Sequence, residues 1–428
     1  MMKTTFKLIL FLLLLFNAAF GQESKKYLIK AGKLFNSESK TFLKNQFIFI
    51  EGEKIVKVTD SDDITYADHE IIDLSKSTVI PGLIDSHTHF LFMQGSGANM
   101  EVDLIENSDD DRLLRGGHIA KSFLSAGITT VKDLGNSGQY LDVTLRNAID
   151  KGWVEGSRML VSGPIISPPN GQFGQLPHLH KNLPAKEYSI VRTVDEARSA
   201  VIEHMNNGVD IIKICATNDN GLVLSTEQMK AIVETAHKNN LKVTAHATYD
   251  QIVNDAVMAG VDGIEHGYNI SDSTLQLMSE KGVYLVPTDG TFDGYKGIVE
   301  FSKSNITDDD IKSFVASTKQ RLLNAVKAGV KIVYGSDLYL YTPRSIGIEA
   351  KNSLVSYYEA GIPVNEVLQI GTYNGAFAIG KQNEIGVIKS GAFADIVAFE
   401  GDLEKDFKNL IYGKNHFVMK AGVVFKKP

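Results

Sequence analysis

Two hydrophobic patterns divide the chain. Near both ends, short runs that alternate apolar with polar residues stand between glycines; through the middle, apolar runs of strand length alternate with longer stretches of helical period. Alternation at period two predicts half-buried strands, and apolar runs separated by helical stretches predict βα units around a parallel sheet. At the start, residues 27–29, 46–51 (QFIFIE) and 54–58 (KIVKV) are the predicted strands. At the end they are 395–399 (DIVAF), 416–420 (HFVMK) and 423–425, punctuated by Gly386, Gly391, Gly401 and Gly422. The two ends together predict one small β-sandwich domain, composed of residues 22–80 and 381–428.

The middle, residues 81–380, carries strand candidates at 79–84, 129–132, 159–162, 210–214, 242–245, 263–265, 284–287 and 331–334. Helical stretches lie between them, for example 195–206, 226–239 and 309–328. Eight such units predict an α/β fold of the (β/α)8 TIM-barrel type, with a doubly wound sheet as the alternative. Two inserts, 90–115 and 167–186, follow the first and third strands, on the side where a barrel builds its active site. The Pro, Gly and His content of 167–186 suits either a moving lid or a fixed wall.

Residues 1–21 stand apart from this pattern. Lys3 and Lys7 precede an uncharged apolar run, LILFLLLLF, and Ala19-Phe20-Gly21 offers small residues for cleavage. This is the pattern of a secretory signal peptide, and the run falls short of the ~20 residues that a spanning helix needs. An exported protein, periplasmic or secreted after cleavage near Gly21, with no stable membrane anchor, is expected.

Composition narrows the partners. The 428 residues are 43% hydrophobic and 22% charged, an ordinary globular balance. Single cores stop growing at about 250–300 residues, so a large domain with a smaller companion is expected. A net charge of -7 provides no basic stripe for a phosphate backbone, which disfavours nucleic acid. The lone Cys215 excludes an internal disulfide and reads as a small buried filler. A small molecule or dipeptide is the expected partner; homo-oligomerisation is left open.

The strongest chemical signal is Asp85-Ser86-His87-Thr88-His89, directly after VIPGLI. In an extended segment alternate side chains share a face, so His87 and His89 can present two imidazoles to one ion. Lys213, His246, His266 and Asp337 fall at or just after other predicted strand ends, which in a barrel lie on one rim. Each alone reads as a solvated polar residue; six at matching positions read as a metal site. Asp133 suits a hydrogen-bond acceptor better than a ligand, and His69, His118, His204, His237 and His416 lack partners at ligand spacing.

These motifs, with TTVKDLG, GVDIIKI, AHA, AGVDGIEHG, YGSD and the tail GAFADIV, resemble the metal-dependent amidohydrolases, in the branch of imidazolonepropionase-like enzymes and Xaa-Pro-type dipeptidases. The resemblance covers nearly all of the chain beyond residue 21. It implies that His87, His89 and Asp337 bind one divalent ion, that His246 and His266 bind a second, and that carboxylated Lys213 bridges them. Zinc suits imidazole and carboxylate donors, with manganese and iron open. Asp337 would also move a proton during hydrolysis of the amide. The alternative for Lys213 is a cation paired to a carboxylate such as Asp210, which leaves a mononuclear site.

Substrate residues are less legible. Tyr249 stands where similar dipeptidases contact the substrate carboxylate, or else is a rim aromatic. Relatives carry a Gly-Gly-His-Gly-type turn after the third strand, where this chain reads SPPNGQFG, so His178 or His180 is the candidate replacement. Arg344 and Tyr341 are candidates for an anionic end. The expected activity is cleavage of an amide in a dipeptide, Xaa-Pro or Xaa-Arg in type, or in an N-acyl amino acid. A lactam hydrolase of imidazolonepropionase type is the first alternative, and a metal-free binding protein is the second.

Overall fold

The computed structural model describes residues 25–61, 68–95, 100–218, 221–342, 344–413 and 415–428, so the expected signal peptide lies outside the described residues. The chain begins with β1 (Lys26–Asn36), β2 (Thr41–Glu51), β3 (Lys54–Thr59) and β4 (Glu70–Pro81). Its middle supplies β5 (Leu83–Thr88), β6 (Ile128–Asp133), β7 (Arg158–Val161), β8 (Ile165–Ser167), β9 (Tyr188–Ile190), β10 (Ile212–Cys215), β11 (Val243–Tyr249), β12 (Gly263–Asn269) and β13 (Tyr284–Val286). The tail adds β14 (Ile396–Glu400), β15 (Asn415–Lys420) and β16 (Val423–Lys426).

Strands from both ends join in one seven-stranded sheet, ordered β16-β15-β14-β4-β1-β2-β3. The pairing that unites them is antiparallel β14 on β4, from Ile396 opposite Pro81 to Glu400 opposite Ser77. This sheet has its own core, in which Ile48 and Ile50 of β2 are buried in one cluster with Phe417 and Met419 of β15. The edge strand β3 also reaches the segment before β14: the Ile55 N–H donates to the Ala392 carbonyl and the Gly391 N–H to the Ile55 carbonyl.

The middle strands are parallel, in sheets ordered β5-β6-β7 and β13-β12-β11-β10-β8-β9, with helices between successive strands except β7 and β8. The chain therefore has an α/β fold. Residues 331–338 run between β13 and β5. The Leu285 N–H donates to the Lys331 carbonyl, the Ser86 N–H to the Tyr334 carbonyl and the Asp337 N–H to the His87 carbonyl. On the other flank the Asp210 N–H, just before β10, donates to the Val161 carbonyl of β7.

Helix starts follow local chemistry. At helix Val194–Asn206 the Thr193 hydroxyl accepts from the Glu196 N–H while the Glu196 carboxylate reaches back, and Ser225 with Gln228 repeats this capping box at helix Thr226–His237. Every residue of β10, Ile212–Cys215, is buried, Lys213 among them.

Three expectations are corrected. The predicted strand 79–84 divides at Gly82, with Val79, Ile80 and Pro81 pairing in the seven-stranded sheet and Leu83 onward in β5. An added Cβ at Gly82 would meet the Thr129 hydroxyl at 2.1 Å, so the chain turns from one sheet to the next where only glycine fits. The predicted strand 331–334 makes a single ladder bridge, Ile332 to Leu285, because it is shared between two strands: the Val333 N–H donates to the Leu285 carbonyl of β13 while the Tyr334 carbonyl accepts from Ser86 of β5. The insert 90–115 is partly helical, ending within Asp109–Ser125, whose start is capped by Ser108. Among the described residues, no helix is long and apolar enough to cross a membrane.

Candidate functional site

The strand ends of the parallel sheets converge on a cavity of about 540 Å³. His87, His89, Lys213, His246, His266 and Asp337 all line it. His87 and His89 come from the end of β5, where extended backbone turns alternate side chains the same way. Ligand atoms of His87, His89 and Asp337 all lie within 4.8 Å of one another. Asp337 Oδ1 is 3.4 Å from His87 Nε2 and 3.3 Å from His89 Nε2. The His246 and His266 rings are 4.6 Å apart between centroids, and His266 is 5.1 Å from His87. The Lys213 amine is 3.5 Å from His87 Nε2.

His266 and Asp337 both have left-handed backbone, at φ +71° and +49°. Non-glycine residues in this region carry strain that the surrounding structure must hold, and such strain concentrates at functional sites.

The partners behind the imidazoles set their tautomers. His87 Nδ1 is 2.7 Å from Glu265 Oε2, and His89 Nδ1 is 2.9 Å from the Gly135 carbonyl. Both partners are acceptors, so each Nδ1 carries a proton and each Nε2 is turned toward Asp337. Burial, reinforced by the Lys213 charge, pushes His87 well below the usual histidine range, and burial does the same to His246 and His266. The His87, His246 and His266 rings are therefore neutral, the form that ligates, whereas at His89 the lowering by burial is outweighed by the hydrogen bond and charge of Asp337, which raise it. Burial also lowers the Lys213 amine. For Asp337, burial opposes ionisation but His87, His89 and Lys213 outweigh it, which holds the carboxyl below its ordinary value.

This donor set fits a divalent cation. Two donors about 2.0–2.1 Å from a tetrahedral ion stand ~3.3 Å apart, the spacing that both imidazoles keep from Asp337. Lys213 does not pair with Asp210, whose carboxylate lies outside the strand end and takes Arg146 at 2.6 Å. Asp133 accepts from the Phe90 N–H at 2.7 Å and from the Thr88 hydroxyl at 3.2 Å, which secures the backbone around His89.

Five substrate candidates lie away from this cavity. Tyr249 is 48% exposed at the start of a helix, because β11 continues past His246 and carries it outward. His178 and His180 form a short 3-10 turn at the surface, while Gln172, Phe173 and Leu176 of the same insert line the cavity instead. Arg344 faces Glu349 at 3.6 Å and, with Tyr341, lines a separate groove. Cys215 packs with Ile165, Phe173 and Tyr188 as a buried filler.

Glu265 and Lys132 escaped the sequence reading. Strict alternation puts Glu265 on the face opposite His266, but the left-handed turn at His266 breaks the period and both are buried inside. Lys132 sits one residue before a strand end and pairs with Glu265 at 3.2 Å. The signal available was a charged residue inside a strand-forming run, Lys132 in ITTVKD and Glu265 in GIEHGYN.

Comparison with known proteins agrees with this geometry. The profile of the amidohydrolase family matches residues 78–424. The chain is 25% identical to an ochratoxinase of Aspergillus niger over 447 aligned positions, covering 95% of this chain and 88% of that one. It is 23% identical to an imidazolonepropionase of Geobacillus sp. (strain WCH70), covering 90% and 91%. A crystal structure of a prolidase complexed with N-methylphosphonate-L-proline superposes with a TM-score of 0.82 at 26% identity, covering 94% and 100%. A family match over most of the length, joined to enzyme relatives that align almost end to end, makes this chain a member of the amidohydrolase family and a hydrolase of carbon-nitrogen bonds.

Proposed function

We propose that the chain is a binuclear metal-dependent amidohydrolase that cleaves an amide bond in a dipeptide, Xaa-Pro or Xaa-Arg in type, or in an N-acyl amino acid. The observation that carries this reading is the convergence of His87, His89 and Asp337 within 4.8 Å, beside neutral His246 and His266 and a buried Lys213. His87, His89 and Asp337 would hold one ion, His246 and His266 the other, and Lys213, as its carbamate, both. Zinc is the proposed metal.

When bound, two such ions supply an acidified water at neutral pH and polarise the scissile carbonyl. The protein's own part is proton movement and positioning. Asp337, ionised at neutral pH, accepts a proton at its carboxylate and hands it to the leaving nitrogen. Glu265 and the Gly135 carbonyl keep His87 and His89 in one tautomer. Phe92, Phe173 and Tyr339 line the cavity and exclude water, while the side-chain amides of Gln94 and Gln172 offer neutral hydrogen bonds. The substrate range draws on the prolidase likeness.

The reading extends to architecture and export. Residues 81–380 would close as a (β/α)8 barrel, a reading supported by the bonds of segment 331–338 to both β13 and β5. Residues 22–80 and 381–428 would form one composite domain folded over as a sandwich, supported by the contact of β3 with the segment before β14. Export with cleavage near Gly21 rests on the leader pattern, and N-terminal sequencing of the secreted protein tests it.

The decisive experiment combines metal analysis of purified protein with a screen of Xaa-Pro, Xaa-Arg, N-acyl amino acid and lactam libraries. Two divalent ions per chain and turnover of the first three classes are expected. Protein that binds no divalent metal and turns over no amide would refute the proposal. Turnover confined to lactams would move it to the imidazolonepropionase type.

A further inference from the structure

The insert between β8 and β9 supplies Gln172, Phe173 and Leu176 to the cavity wall, and a buried ion pair fastens its far end. Arg112, from helix Asp109–Ser125, is 3% exposed, and Glu187, at the end of the insert, is 1% exposed. Their contact is bidentate, with Nη1 donating to Oε1 at 2.8 Å and Nη2 to Oε2 at 3.0 Å. The same guanidinium reaches two more segments of the cavity rim. Its Nε donates to the carbonyl of Leu91, two residues past His89, at 2.9 Å, and Nη2 to the Asn136 carbonyl at 2.8 Å. Glu187 Oε2 also accepts from the Gly138 N–H at 3.0 Å.

A second line of bonds runs from this anchor into the cavity. Asn136, itself a lining residue, donates from Nδ2 to the Tyr188 hydroxyl at 3.3 Å, and that hydroxyl donates to Gln172 Oε1 at 3.2 Å. Gly171, at φ +58°, lies so close over the Tyr188 ring that a Cβ there would meet Cδ2 at 2.4 Å. One cation thus ties together the segment after β5, the turn after β6 and the insert after β8. Stability alone does not account for such a pair, since well-packed apolar residues of similar volume often do as well. A planar bidentate fork provides fixed direction.

We propose that Arg112 and Glu187 are positioning residues that hold the 168–187 insert and Asn136 as a preformed wall of the substrate cavity. The insert is then a fixed specificity wall that does not open as a lid. The proposal rests on the reading of this cavity as the substrate site, and it makes the wall's shape depend on an ion pair remote from the reacting atoms.

Glu187→Gln and Arg112→Met test it through hydrogen exchange, metal content and steady-state hydrolysis of the dipeptide Phe-Pro. Exchange of the backbone amides at 170–176 should accelerate about tenfold or more, because local opening is no longer opposed there, while β10, β11 and β12 keep wild-type protection. Metal content should stay unchanged, and KM for Phe-Pro should rise about tenfold with kcat within about twofold, the split expected for lost ground-state positioning. Unchanged exchange at 170–176, exchange that rises everywhere alike, or kcat that falls together with metal content would overturn the proposal. Should Arg112→Met fail to fold, Glu187→Gln, which preserves side-chain shape, carries the test. Failure of the wild-type protein on Phe-Pro counts against the substrate reading, and the exchange result then decides the clamp by itself.

Discussion

His87 Nδ1 lies 2.7 Å from Glu265 Oε2, and Oε1 of the same carboxylate faces the Lys132 amine at 3.2 Å. The Thr244 hydroxyl donates to Oε1 as well, and all four residues are buried. Glu265 therefore has two tasks: it fixes the proton on His87 and it neutralises a lysine inside the sheet. Replacement by Gln should lower apparent metal affinity by about 10–100-fold, the usual loss when the partner behind a ligating histidine is changed. Competition against a chelator of known affinity measures this. Wild-type affinity would show that His87 does not need its carboxylate.

Asp337 carries the proposed proton transfer. Asp337→Asn keeps an oxygen toward His87 and His89 but cannot accept the proton, so metal content should persist while kcat drops by about 10²–10⁴. A near-normal rate would remove Asp337 from the proton path.

Chelation should abolish amide hydrolysis, and added zinc or manganese should restore it. Far-ultraviolet circular dichroism before and after chelation separates loss of metal from loss of fold. Activity indifferent to prolonged chelation at several pH values would sink the metal-dependent mechanism.

Lys351 predicts a pH dependence of stability. It is fully buried, donates to the Ala126 carbonyl at 3.1 Å, and is pushed down to about 7 by burial with help from the nearby Lys426 charge. Its unfolded value is the ordinary 10.5. Between these values the unfolded chain holds a proton that the folded chain has lost, so stability should rise with pH through this window. Below it both states are protonated and the burial penalty is fully present. Lys351→Met should flatten this rise, with its stabilisation relative to wild type greatest at neutral pH and below. Parallel thermal-unfolding curves at pH 6 to 10 would contradict the assignment.

Arg158 and Asp395 join the parallel sheet to the tail. Arg158 Nη1 donates to Asp395 Oδ2 at 2.5 Å, and Asp395 also accepts from the Ala421 N–H at 2.8 Å. Asp395→Ala leaves a mostly buried guanidinium without its carboxylate, which should cost about 3 kcal/mol. Urea unfolding of the metal-loaded protein measures the loss, and a change within error would mean that solvent compensates the arginine.

Much of this protein was legible in the order of its residues. Apolar runs and helical periods depend on neighbours a few positions apart, so the alternation of strands and helices could be read directly, as could the placing of His87, His89, Lys213, His246, His266 and Asp337 on or just after strand-forming runs. Capping pairs such as Thr193 with Glu196 are equally local. What only the tertiary structure decided depends on approach between distant segments. Period-two alternation hid Glu265 because it assumes unbroken extended backbone, and the left-handed turn at His266 is imposed by its surroundings. Tyr249, His178 and His180 follow from the resemblance and Arg344 from its place just beyond Asp337, but loop direction carries them away from the cavity and brings in Gln172, Phe173 and Asn136. The clamp from Arg112 to Glu187 spans 75 positions, a separation over which no sequence period operates. Local pattern determines where chemistry is offered; packing of remote segments decides which side chains face it.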